Sequence, residues 1–121
     1  MAKKIYLDNI SIGAESPAYI IAEVSGNHGG KLDNAIELIK KAKEIGADAV
    51  KLQTYTADTI TLNSSKDDFL LPAGNAWEGS NTLYNLYKQA FTPWEWHEEL
   101  FQVAHKVGID IFSSPFDSSA V

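Results

Sequence analysis

The chain has 121 residues, 45% of them hydrophobic, and a net charge of -6, the profile of one small globular domain with a modest core. All ten basic residues are lysine and form no stripe, which argues against a nucleic-acid partner and against a basic membrane-binding face. Cysteine is absent, so disulfides, zinc–thiolate sites and thiol catalysis are excluded.

The opening MAKKIYLDNISIG has no long apolar segment behind its lysines, so neither a signal peptide nor a membrane anchor is expected, and the expected location is the cytoplasm. Residues 1–15 read as a hairpin cap of very short strands turning at Asp8-Asn9. AYIIAEV, residues 18–24, is a near-continuous apolar run, the pattern of a strand buried on both faces. KLDNAIELIKKAKEIG then spaces Leu32, Ala35, Ile36, Ile39 and Ala42 for a helix, with Gly46 as its C-cap. ADAVKLQTY, residues 47–55, predicts a second core strand, parallel to the first across the helical crossover.

Residues 56–81 are rich in Ser, Asp, Asn, Gly and Pro and predict a long functional loop, with Phe69, Leu70, Leu71 and Trp77 packing part of it down. NTLYNLYKQAF predicts a short helix. Thr92-Pro93-Trp94-Glu95 predicts the start of another, with Thr92 as N-cap, Leu100, Val103, Ala104 and Val107 facing inward, and Gly108 at its end. Trp94, Trp96 and His97 form an aromatic face, expected to pack in a core or interface. IDIFSS, residues 109–114, predicts the third core strand, broken by Pro115, with FDSSAV entering a further helix. The order β-α-β-(loop, α, α)-β is an unfinished α/β sheet or barrel, so residues 18–121 are expected to be the N-terminal portion of something larger.

Polar residues gather at one end of each strand: Glu23, Ser25, Asn27 and His28; Lys51, Gln53 and Thr54; Ser113 and Ser114. In α/β barrels that end builds the active site. Alternation puts Lys51, Gln53 and Tyr55 on one face of their strand and Val50, Leu52 and Thr54 on the other. The aliphatic set suits the helix side, which turns Lys51 and Gln53 inward. A lysine there needs a counter-charge or an anionic ligand. Glu23 can supply the first, so a purely structural Glu23–Lys51 pair remains open beside a functional one. SGNHGG matches no phosphate-loop pattern, and its glycines suit a strand-to-helix turn or a close approach to a ligand. His28 is open as an acid, a base, a metal ligand or a hydrogen-bonding partner. Ser114 has no neighbouring base and suits a hydroxyl donor to phosphate or carboxylate rather than a nucleophile.

AEVSGNH, GADAVKLQT and SSPFD, in this order and over nearly the whole chain, resemble the N-terminal part of the sialic acid synthase family. TLYNLYKQAFTPWEWHEELF is similar to that family's pseudaminic acid synthase branch. The resemblance implies a TIM (β/α)8 barrel, of which this chain covers the hairpin and about the first three βα units. It implies condensation of phosphoenolpyruvate with a 6-deoxy, di-N-acetylated hexose. The alternatives are an N-acetylneuraminate or legionaminate synthase, or a fragment inactive on its own. Carried over by position, Lys51 binds the phosphate of phosphoenolpyruvate with Ser114, and Gln53 contacts the amino sugar. Glu23 lies beside the reacting carbons as a catalytic candidate for proton handling at the new hydroxyl or the attacking water. Asn27 and His28 shape the pocket wall, and Thr54 joins the expected substrate contacts. The resemblance also implies a divalent metal (Mn or Mg) whose ligands lie outside this chain, a C-terminal antifreeze-like domain, and a homodimer.

Overall fold

The computed structural model describes residues 4–77 and 79–121. Strands β1 (Ile5–Leu7) and β2 (Ile10–Ile12) pair antiparallel, Leu7 opposite Ile10, across a turn in which Asp8 takes the left-handed conformation (φ 50°) that Asp tolerates. A separate sheet holds β3 (Ile21–Glu23), β4 (Ala49–Thr54) and β5 (Asp110–Pro115), all parallel and in sequence order. Helix α1 (Leu32–Glu44) crosses between β3 and β4; α2 (Ala57–Ile60), α3 (Leu83–Ala90) and α4 (His97–Val107) lie between β4 and β5.

The predicted first core strand is shorter and more open than its apolar run suggests. Only residues 21–23 pair, with β4 as the one neighbour among the described residues, and Ile21 is 46% exposed. The anchor sits one residue earlier, where the Ile20 carbonyl accepts from the amides of Asp48 and Ala49 and the Ile20 amide donates to the Asp48 carboxylate at 2.7 Å. Pro115 does not precede the break but closes β5 opposite Thr54, and Phe116 N–H then donates to the Thr54 carbonyl. Thr92 does not cap a helix. Residues Trp94–Trp96 make a 3₁₀ turn, so Trp94 and Trp96 lie outside the helical face predicted for them. The excursion is more structured than predicted: Thr56 and Thr59 form a capping box on α2, and Leu70 pairs with Thr82 across the loop. Phe69, Leu71 and Trp77 are half-buried there, whereas Leu70 is exposed.

The core lies on one side of the parallel sheet. Val50 and Leu52 of β4 pack there with Ala35, Ile39 and Ala42 of α1 and Leu100 and Ala104 of α4, all buried. Burying apolar area at about 25 cal/mol per Å² is what holds both helices to this face. Gly108 ends α4 at φ 76°, and its carbonyl accepts from Lys43 of α1 at 2.6 Å, closing the bottom of that layer. No helix among the described residues is long and apolar enough to cross a membrane.

Candidate active site

Register decides which side chains meet on the other face. In a parallel pair, partners share a face, so Glu23, Lys51 and Phe112 form one row across the sheet. Gln53 and Ser114 form the next row, one step nearer the carboxyl edge. Within the first row Lys51 Nζ sits 2.8 Å from Glu23 Oε2, and the two side chains stay 29% and 42% exposed. The other Glu23 oxygen accepts from Ser25 Oγ at 3.1 Å. Ser25 reaches back by adopting φ 47°, a left-handed conformation that costs a non-glycine residue about 1 kcal/mol or more. Both carboxylate oxygens thus have a partner, and the Lys51 side chain stays partly open to solvent. Such an arrangement can receive an anion at Lys51 with Ser114 able to donate a hydroxyl beside it.

The other expected site residues separate from this group. His28 is fully buried: its Nδ1 accepts from Gly30 N–H at 3.0 Å, so the proton is on Nε2, which donates to Thr92 Oγ1 at 3.1 Å. Trp96 packs edge-on at 5.2 Å between centroids, and burial pushes the imidazole pKa below its ordinary 6.5. His28 is thus a bolt between the turn after β3 and the segment entering α4, away from Lys51. Asn27 is exposed and lines a cavity of 270 Å³ with Asn34, Glu37, Leu38 and Lys41 along α1, not one with Lys51. Thr54 also lies away from the Lys51 face. It is 2% exposed and turned to the helix side, where Oγ1 lies 2.7 Å from His97 Nε2 and 2.6 Å from Ser113 Oγ. Gln53 and Ser114 are on the Lys51 face, where parity puts them.

Residues 38–121 match the model of the NeuB family. The chain belongs to the NeuB family. A pseudaminic acid synthase of Campylobacter jejuni is 49% identical over 88% of this chain and 30% of that protein. One of Helicobacter pylori is 51% identical over 87% of this chain and again 30% of that protein. The chain thus spans about 30% of the length of these curated relatives. An N-acetylneuraminic acid (sialic acid) synthetase from Leptospira borgpetersenii, whose crystal structure is in complex with citrate, is 30% identical. It superposes with a TM-score of 0.76, covering 99% of this chain and 36% of that one. The family resemblance carried by AEVSGNH, GADAVKLQT and SSPFD is borne out.

In this NeuB-family chain Gly26 of SGNHGG serves a packing need, while Gly29 and Gly30 take positive φ (59° and 71°). A Cβ at Gly26 would lie 2.8 Å from the Ala90 carbonyl oxygen and 2.9 Å from the Ala90 Cβ. The C-terminus of α3 therefore rests directly on the turn after β3. Gly26→Ala is expected to lower unfolding free energy by about 1–3 kcal/mol, read from urea denaturation, because backbone rather than a flexible side chain must yield. An unchanged urea midpoint would refute the close approach. Sequence reasoning placed Ser25 and Ser113 at the strand ends without their partners, and gave Thr92 and His97 other roles. Parity alone pairs Ser113 with Leu52 on the helix side; for Thr92 and His97, distant in sequence from their partners, no local signal exists. Among the described residues no group of three or more His, Cys, Asp or Glu side chains is placed to hold a metal ion.

Proposed function

We propose that the intact protein condenses phosphoenolpyruvate with a 6-deoxy, di-N-acetylated hexose, forming pseudaminic acid and releasing phosphate, within a (β/α)8 barrel whose first three strands are β3, β4 and β5. The observation that carries the reading is the layered face: the Glu23–Lys51 ion pair at 2.8 Å with the Gln53–Ser114 row beside it at the carboxyl edge. The two relatives at 49% and 51% identity bear the pseudaminic acid synthase name, which supports this sugar over others.

The residues suit the chemistry. Phosphoenolpyruvate carries up to three negative charges, and in an acidic chain Lys51 offers fixed positive charge on the sheet face. The phosphate takes over the Lys51 ammonium and accepts from the Ser114 hydroxyl. Gln53, in the same row as Ser114, offers its amide to the sugar. The C=C π electrons of the enol then form the C–C bond to the open-chain aldehyde, whose oxygen takes up a proton. Water adds at carbon two and gives up a proton, and the C–O bond breaks as phosphate departs with the bridging oxygen. Holding both substrates in one mouth removes the entropy of their encounter. Glu23 keeps Lys51 extended along the row and compensates its charge between turnovers. A divalent ion would supply Lewis acidity at the aldehyde, but the described residues do not form its site. The test is phosphate release from phosphoenolpyruvate offered with the di-N-acetylated 6-deoxy hexose or with N-acetylmannosamine. Release with the first sugar alone is expected. Release only with N-acetylmannosamine reassigns the substrate, and none with either overturns the reading.

A further inference from the structure

We propose that His97 is a positioning residue for the phosphoenolpyruvate lip, acting through a directed chain of hydroxyls behind the sheet; the inference rests on the synthase reading. His97 Nδ1 lies 3.2 Å from the carbonyl oxygens of both Pro93 and Trp94. Carbonyls only accept, so of the two tautomers of an uncharged ring the geometry selects the one with its proton on Nδ1 and Nε2 bare. The bare nitrogen accepts from Thr54 Oγ1 at 2.7 Å, which uses the Thr54 proton. Thr54 Oγ1 is left to accept, and Ser113 Oγ donates to it at 2.6 Å. Every proton in Ser113–Thr54–His97 therefore has one direction, and the chain ends on backbone carbonyls that enter α4.

Its place in the fold gives it a role beyond satisfying a buried hydroxyl. Thr54 follows Gln53, and Ser113 precedes Ser114. Neighbours along a strand point to opposite faces, so the chain grips from behind the same stretch of β4 and β5 whose front carries Gln53 and Ser114. It does so near the carboxyl edge, where strand pairing gives out after Phe116 N–H reaches the Thr54 carbonyl at 3.1 Å. The hydroxyl–hydroxyl contact crosses from β4 to β5, and the imidazole ties both strands to the turn before α4. Relative placement of Gln53 and Ser114 is thereby set by a residue on neither strand. Gln53 and Ser114 are the groups assigned to bind substrate, so a shift in their relative placement weakens binding first, which is why such a brace matters.

Four variants of the intact protein test this by phosphate release, with KM for phosphoenolpyruvate and kcat measured separately. Thr54→Val and His97→Leu, which remove the donor and the acceptor, are expected to raise KM about tenfold or more while kcat changes much less. Thr54→Ser keeps the hydroxyl and His97→Gln keeps an acceptor near the Nε2 position; both are expected to restore KM to within about twofold. A brace that served stability alone would lower the amount of active protein, so kcat per total protein would fall with KM unmoved. That result overturns the positioning role, as does failure of the conservative pair to rescue KM. Wild-type protein without any turnover overturns the synthase reading and the positioning role claimed under it, whereas turnover with an unmoved KM overturns the positioning role alone.

Discussion

Lys51→Ala is expected to lower kcat/KM for phosphoenolpyruvate by on the order of 1000-fold, the equivalent of about 4 kcal/mol of transition-state stabilisation. The size follows from what the substrate lacks without it. A phosphate leaving as a dianion needs a cation fixed beside it, and the local partners of that lysine are a carboxylate and uncharged groups. Ser114 can donate a hydrogen bond but brings no charge. Lys51→Arg is expected to recover little, because the guanidinium is planar and longer, whereas Glu23 now meets a compact ammonium at 2.8 Å in direct register. Glu23→Gln reports on the partner. Both Glu23 oxygens are occupied, by Lys51 and by Ser25, which favours a role in holding the lysine rather than in carrying protons. The expected signature is a changed KM for phosphoenolpyruvate with kcat largely retained. A collapse of kcat at saturating substrate would assign Glu23 to proton transfer, and full activity of Lys51→Ala would remove the phosphate from this face altogether.

His28→Leu is expected to destabilise the protein by about 3 kcal/mol, seen as a lower urea midpoint, although the variant is as apolar as the core around it. The loss comes from what remains: the Gly30 amide and the buried Thr92 hydroxyl both lose their partner. A pH dependence accompanies it. Burial holds the imidazole neutral by lowering its pKa below 6.5, and Nδ1 cannot take a proton while Gly30 N–H points at it. Between the folded and unfolded values the unfolded chain binds more protons. His28 therefore contributes stability that is fully present above about pH 6.5 and is lost as pH falls towards the folded value. Urea midpoints of wild type should fall from pH 7 to pH 5, and part of that slope should vanish in His28→Leu. An identical slope in both would show that other groups set it.

Much of this architecture was legible from spacing. The apolar periods of α1 and α4, the glycines that end them, and the parity of β4 follow from local chain geometry, so the inward turn of Lys51 and Gln53 was readable before any coordinate. Parity also placed Thr54 with Val50 and Leu52; family likeness pulled it to the substrate side, and the structure returned it to the helices. His28 misled for a different reason. A polar residue in a glycine-rich turn reads as available, and its remote contacts, with Thr92 64 positions away and with Trp96, bury it. The Ser113–Thr54–His97 chain was equally hidden, since its links span 59 and 43 positions. Period-based reading sees what a segment prefers, and these residues are defined by what a remote segment brings to them.

The contact of Gly26 with Ala90 and of His28 with Thr92 fastens the two ends of the site's frame independently of the excursion between β4 and α3. The entropy of closing a flexible loop grows only with the logarithm of its length, about 0.6 kcal/mol per doubling. Residues 61–81 can therefore lengthen, shorten or change character with little effect on where Lys51, Gln53 and Ser114 stand. A chain built this way can vary in that excursion while the Glu23–Lys51 and Gln53–Ser114 rows keep their register.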